Sequence, residues 1–352
     1  MPVSMKEVAA KARVSTATVS KCLRDAPGVS APTRERVKLA ATRLGYRPHP
    51  YISALMRNRR KRAGRASSPV LAFVTAFSEP DGWRKAPSPL VRLLHAGAMD
   101  RADERGYKLE HFWLHQDGMS SYRFGEMLRA RGIRGVMLPP FPDLDKRIDM
   151  AWPQFSVVSH GLTVAHPVFH RTSNDHYQSM MLALQESRRR GYRRPGFAMD
   201  GPLGGRLEYR WEAAFLVGRA RMGFDEGVEP YFFTSWDARA AARWLRREKP
   251  DVLISLLRED HLAEIKKHGI RIPRDLGAIS LSVHEPGSML SGIRQNVRLM
   301  GVLAIDKLIN LVERGETGVP AHPVTLTIDG VWNEGATLRR RCTDGFGGHE
   351  GI

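Results

Sequence analysis

The chain reads as an all-α helix-turn-helix head joined to a longer α/β body with parallel, doubly wound sheets. Three observations lead there. The first is charge. Residues 1–66 hold 16 Lys and Arg against three acids (Glu7, Asp25, Glu35), a net of +13, which leaves only +5 of the chain's +18 for everything that follows. A small basic head on a nearly balanced body is the electrostatic footprint of a nucleic-acid-binding domain attached to something else. The second is a set of capping residues and apolar spacings in the first 46 residues that marks three short helices. The third is the alternation, after residue 66, of short apolar runs with helical patterns, the signature of parallel sheets covered on both faces.

The head begins with Ser4-Met-Lys-Glu7, a capping-box pattern. Val8, Ala9 and Ala12 then give helix one a small apolar face. After a very short connection at Arg13-Val14, Ser15 is a good N-cap for a second helix from Thr16 to about Arg24. Val19 and Leu23 share the face expected to pack inward, which leaves Thr16, Ala17, Ser20 and Lys21 toward solvent. Ala26–Val29 is a turn. Ser30 caps a third helix, Pro32 is tolerated in its first turn, and Val37, Leu39, Ala40 and Leu44 are its expected apolar positions. Two short helices with a tight connection suit docking of the second in a major groove. There small side chains let the backbone approach base edges, and Lys21 reaches a guanine or a phosphate. The bland alternative is a basic three-helix bundle with a solvated surface. The following stretch, Pro48 to about Asn58, carries one or two helical turns, with Pro50 suited to a first helical position. Leu55 there is either a surface residue or an apolar wedge. The basic run from Arg57 to Arg65 either touches phosphates or is a solvated linker.

In the body, strands are expected at 69–75, 106–114, 132–140, 154–158, 194–199, 230–234, 252–256 and 277–281. Helices are expected at 90–105, 124–131, 175–190, 209–222, 237–247 and 259–268. Ligands of such sheets sit beyond the carboxyl ends of the strands, and between lobes where there are two. The chain has 352 residues, 42% of them hydrophobic, enough for two or three domains with real cores. No apolar run approaches membrane-spanning length and no secretory leader is evident, so a cytoplasmic protein is expected. Two cysteines, Cys22 and Cys342, are too few and too far apart to suggest a disulfide framework or a metal cluster.

The sequence Val3-Ser-Met-Lys-Glu-Val-Ala-Ala-Lys-Ala-Arg-Val-Ser-Thr-Ala-Thr-Val-Ser-Lys, followed by Val29-Ser-Ala-Pro-Thr-Arg-Glu-Arg-Val and Leu44-Gly-Tyr-Arg-Pro, resembles the head of the lactose-repressor (LacI/GalR) family from about Val3 to Met56. Weaker echoes in the body include Ile293-Arg-Gln-Asn-Val-Arg-Leu-Met-Gly and Trp332-Asn-Glu-Gly. The resemblance implies a two-lobed, periplasmic-binding-protein-like body and a homodimeric repressor. Such a repressor binds a pseudo-palindromic operator in double-stranded DNA under control of a small-molecule effector, a carbohydrate or its derivative. It implies four regions: a DNA-binding domain at 1–47, a hinge helix and basic linker at 48–66, an effector-binding and dimerisation body at 67–341, and a flexible tail at 342–352. Three crossings between lobes are expected near residues 160–170, 289–297 and 325–330.

By position, the resemblance makes Thr16, Ala17 and Lys21 base-reading residues, with Ser20 on the same face. It makes Ser15, Ser30, Thr33 and Tyr46 backbone-positioning residues. Leu55 becomes the minor-groove wedge of the hinge, with Ile52 beside it where the family usually has alanine. The implied effector contacts are Ser159, Arg210, Trp236, Ser282, Gln295 and Val297. A guanidinium at Arg210 suits a diol, carboxylate or phosphate, and an aromatic at Trp236 stacks on an apolar ligand face. Read without the resemblance, the same two are a surface ion pair and a packing tryptophan. Ser282 departs from the family's usual aspartate, which weakens the expectation of a plain hexose. No cofactor or metal is expected. The rival readings are a ligand-independent regulator, a sugar-active enzyme and a solute-binding protein. The chain lacks a Gly-x-Ser-x-Gly elbow, a His-Glu-x-x-His motif and a Walker loop.

Overall fold

The computed structural model describes residues 5–23, 28–44, 46, 68–115, 119–142, 148, 150–164, 166–225 and 227–339. The Ser4 cap, the stretch with Ile52 and Leu55, the basic run, Cys342 and the expected tail lie outside the described residues.

The head is three helices, α1 (Met5–Ala12), α2 (Thr16–Cys22) and α3 (Ala31–Leu44). Val8, Ala9, Ala12, Val19, Cys22, Val37, Ala40 and Ala41 form its core, with Leu23, Leu44 and Tyr46 packed against it. Leu39, expected inside, is exposed. The inward stripe of α3 runs through Val37, Ala40, Ala41 and Leu44, three and four apart, and Leu39 falls off that stripe. The turn from α1 to α2 is tight because Arg13 takes a left-handed conformation (φ 50°). Val14 N then bonds the Ala9 carbonyl at 3.1 Å, closing the end of α1.

The body has two lobes. In the first, β1 (Val70–Thr75), β2 (Lys108–Trp113), β3 (Gly135–Leu138), β4 (Ser156–His160), β5 (His170–Asn174) and β11 (Thr325–Ile328) form one sheet in the order β11-β5-β4-β3-β1-β2. Every neighbouring pair is parallel. Alternate residues of β1 serve opposite faces. Leu71 and Phe73 pack with α5 (Leu90–Glu104) and α12 (Val297–Arg314), and Ala72 and Val74 pack with α6 (Ser121–Ala130). That division makes the sheet doubly wound. A short helix, α4 (Gly82–Lys85), buries Trp83 beside β1.

The second lobe's sheet contains β6 (Pro195–Asp200), β7 (Tyr231–Phe233), β8 (Val252–Ser255), β9 (Gly277–Val283), β10 (Gly292–Arg294) and β12 (Val331–Asn333), ordered β12-β10-β9-β8-β6-β7. It is parallel except for the β10–β12 pair. The helices are α7 (His176–Arg189), α8 (Gly201–Arg206), α9 (Arg210–Arg221), α10 (Ala238–Glu248) and α11 (Glu259–Lys267).

The chain passes between lobes at residues 174–176, 294–297 and 328–331. The second and third crossings fall where expected. The first does not: residues 160–170 join β4 to β5 within the first sheet, and the crossing comes after β5. That strand, His170-Arg-Thr-Ser-Asn, is too polar to read as a core strand, yet Thr172, Ser173 and Asn174 are buried. The 18-residue α12 was also not expected as an element. It lies so close to α5 that a Cβ on Gly97 would sit 2.0 Å from the Arg298 carbonyl oxygen, and one on Gly301 would sit 2.2 Å from that of Leu94.

Candidate nucleic-acid interface and interlobe cleft

On the head, Ser15 caps α2: its hydroxyl accepts from Thr18 N at 3.0 Å and lies 2.9 Å from the Thr18 hydroxyl. Ser30 opens α3, its hydroxyl 2.9 Å from that of Thr33. Ser15, Thr16, Ala17, Lys21 and Ser30 are exposed, while Ser20, Thr33 and Tyr46 are half-buried. Thr16, Ala17 and Lys21 therefore share one solvent face of α2, opposite the buried Val19 and Cys22. Such a face offers small side chains and one cation to base edges, with the N-termini of α2 and α3 available to phosphates.

In the body, a cavity of about 660 Å³ opens between the lobes. The first lobe contributes Phe77, residues 86–91, residues 140–142, and His160 through Thr163 together with Asn174. The second contributes His176, Leu203, Leu207, Trp211, residues 256–259, Ser282 to Glu285, Ser288, Leu290 and Gln295. The fold explains the position: the cavity lies past the carboxyl ends of β3, β4, β8 and β9, where helices begin and backbone polar groups are left over.

Of the residues expected to bind an effector, the structure brings Ser282 and Gln295 to this cavity. The other four do not line it. Ser159 is buried within β4. Arg210 is held by Glu208, with its Nη2 2.6 Å and Nε 3.1 Å from Oε2. Trp236 packs against His261, ring centroids 4.4 Å apart, and its Nε1 donates to Glu264 at 2.8 Å. Val297 is in the first lobe's core. For Arg210 and Trp236, the surface ion pair and the packing tryptophan describe what the side chains do.

Residues not anticipated dominate the cleft. The first crossing begins at Asn174-Asp175. Asn174 lines the cavity and Asp175 caps α7 by accepting from Gln178 N at 2.8 Å. The Gly-rich run at 201–205 is α8, capped by Asp200, and it ends in Arg206. Arg206 reaches the other lobe: Nη2 donates to the Phe141 carbonyl at 2.5 Å and Nη1 to that of Pro142 at 3.3 Å. A second bridge is His284, whose Nε2 lies 3.3 Å from the hydroxyl of Ser88 in the opposite lobe and 3.4 Å from that of Ser282. The arginine of a Gly-rich segment and a histidine two residues from Ser282 are the only sequence marks of these clasps.

The cleft's histidines are held neutral. Burial, then the positive charge potential of His176, pushes His160 down to about 4, and its Nδ1 lies 3.0 Å from the Thr172 hydroxyl. Burial, then Arg210, pushes His176 down to about 4, and its ring meets Trp211 edge-on at 4.7 Å. Burial also lowers His284. Of the charged residues in the lining, Glu259 and Glu285 are exposed and Arg258 is paired to Asp260 at 2.7 Å.

Among the described residues no group of three or more His, Cys, Asp or Glu could hold a metal ion, and no helix is long and apolar enough to cross a membrane. Residues 4–49 match the family of bacterial regulatory proteins, lacI family. The head is similar to the HTH-type transcriptional repressor CytR of Escherichia coli K12, 48% identical over 77 residues, 22% of this chain. That match spans 20% of the relative's length. The chain is 25% identical over 348 residues, 93% of its length and 95% of the relative's, to the HTH-type transcriptional regulator CelR of Thermobifida fusca. Its fold is similar to that of the lac repressor dimer bound to operator and the anti-inducer ONPF, with a TM-score of 0.56 at 18% identity, covering 96% of this chain and all of the other. Residues 4–49 thus carry the lacI-family match, and the body shares its two-lobed fold with the lac repressor.

Proposed function

We propose that the protein is a sequence-specific DNA-binding transcriptional repressor, cytoplasmic and homodimeric, whose affinity for a pseudo-palindromic operator is set by a small molecule held between the lobes. One observation carries the reading: Thr16, Ala17 and Lys21 stand on one exposed face of a capped helix in a head of net charge +13. Thr16, Ala17, Ser20 and Lys21 read base edges in the major groove, and Ser15, Ser30, Thr33 and Tyr46 fix the register on phosphates. Leu55, with Ile52 beside it, opens the minor groove between two half-sites. The similarity to CytR, CelR and an operator-bound lac repressor supports regulation of transcription over an enzymatic or transport role.

The cleft supports the control step. It joins two lobes by clasps of modest strength, and a ligand acts on such a pair only through its different affinity for the arrangements they adopt. Ser282 and Gln295 lie where a ligand would meet the second lobe, and a sugar or sugar derivative is the effector class the resemblance implies. The test is selection of duplexes from a random pool by the full-length protein, followed by titration at rising salt. A half-site repeat with steep salt dependence is the expected result. Lys21→Ala should lose on the order of 1–3 kcal/mol at one half-site position while other positions keep their preference. Recovery of no preferred duplex would overturn the proposal.

A further inference from the structure

The wall of the cleft is chemically lopsided. Leu162, Leu203, Leu207, Trp211, Leu257 and Phe141 line it with apolar side chains from both lobes, and Pro87, Pro89, Pro140 and Pro142 add to the first lobe's side. Several polar side chains among them already make one bond to the protein. Gln295 Nε2 donates to the Leu281 carbonyl at 2.9 Å, and the Thr163 hydroxyl accepts from Phe141 N at 3.3 Å. The Ser288 hydroxyl accepts from Leu290 N at 3.2 Å, and Ser282 is 3.4 Å from His284. Four polar atoms of the lining residues that lack a hydrogen-bond partner among the described residues, Asn174 Nδ2, His176 Nδ1, Trp211 Nε1 and His284 Nδ1, are buried from solvent. The charged residues of the lining, Arg258, Glu259 and Glu285, are all exposed to solvent, and Arg258 is tied to Asp260.

An unsubstituted sugar carries hydroxyls around its whole edge, and each one taken from water without a partner opposes binding. Sites for such ligands supply charged, planar groups that accept or donate two bonds at a time. This wall does not. An apolar ring, by contrast, gains from every part of it, since non-directional burial needs shape and area only.

We infer that the cleft takes an uncharged ligand whose bulk is an apolar ring, either free or as the aglycone of a glycoside, and that it discriminates against unsubstituted sugars. The inference rests on the reading of the cleft as an effector site. The neutral histidines agree with it, because rings held uncharged add no fixed charge beside the ligand.

The test is calorimetric titration of the full-length protein with three probes: methyl β-D-glucopyranoside, phenyl β-D-glucopyranoside and 2-naphthol. The expected result is a Kd at least 30-fold lower for the phenyl than for the methyl glucoside. Binding of 2-naphthol as well would assign the ring itself as the determinant, and binding of the phenyl glucoside alone would assign the aglycone source. Leu203→Ser and Pro87→Ser, on opposite lobes, should each weaken the ring-bearing probes about tenfold. Their circular dichroism melts, compared with the parent's, identify a variant that has failed to fold, and the probe comparison on the parent protein stands without either. Equal affinity for the two glucosides, or tighter binding of the methyl one, would overturn the inference, as would failure of all three probes to bind. A parallel titration on the selected operator separates the two readings. Sugar-only binding that shifts operator affinity removes the ring and keeps the regulator. Ring binding with no preferred duplex keeps the ligand class and removes the regulator.

Discussion

Arg206→Ala tests whether the lobes are held together by named contacts. Arg206 ends α8 in the second lobe and donates to two carbonyls in the first. The bond to Phe141 at 2.5 Å is partly buried, whereas the bond to Pro142 at 3.3 Å is exposed, and its contribution is close to nil once solvent competes. Counting only the first, a hydrogen bond from a charged donor contributes about 1.5–3 kcal/mol. At about 1.4 kcal/mol per tenfold, the ratio of bridged to separated lobes should fall by a factor of roughly 10–150. Single-molecule energy transfer between dyes at the exposed positions Arg123 and Arg239, one on each lobe, in a Cys342→Ser background reads that ratio directly. The variant should show a second, lower-transfer population or a broadened one. Arg206→Lys should fall between, because an ammonium is a single point charge with no fork. An unchanged distribution in Arg206→Ala would refute the view that this clasp sets the lobe spacing.

Gly301→Ala should destabilise the first lobe by about 1–3 kcal/mol, since the new methyl would lie 2.2 Å from a backbone oxygen of α5 and the helices must separate; urea melts measure this. Glu186→Ala should cost about 3 kcal/mol in the same assay, because among the described residues it leaves the fully buried Arg190 with a single carboxylate, Glu334, which it bonds at 2.6 and 2.8 Å. Stability should also fall with pH. His160 and His176 titrate near 4 when folded and near 6.5 when unfolded, so the unfolded chain takes up protons first as pH drops through 6.5. The loss grows down to about pH 4 and is absent above about pH 7. At pH 5 it is of the order of 2 kcal/mol for each ring, and His176→Phe should flatten the profile.

Some of this was written in local sequence. The head's helices follow from caps and short apolar stripes that act within one or two turns, so Ser15, Val19 and Lys21 announce their places without help from distant residues. The α/β alternation was legible for the same reason, because a central strand such as Leu71–Val74 is apolar on both sides wherever it is inserted. What fails is whatever depends on partners far along the chain. His170–Asn174 is polar, and it is a strand only because β4 and β11 flank it. Leu39 is apolar, and it is outside only because of how α3 turns. The lobes meet through Arg206 and His284, and nothing near either residue says which carbonyl or hydroxyl will stand opposite. Position in a motif points Arg210 and Trp236 at an effector, whereas the structure shows them bonded to neighbours brought together by folding, Glu208 and Glu264. Composition and spacing determined that a basic helical head precedes a doubly wound α/β body. The tertiary structure decided which side chains face the cleft and how many of their hydrogen bonds are already taken, because a wall's polarity is set by which groups are left unpaired after the chain has closed on itself.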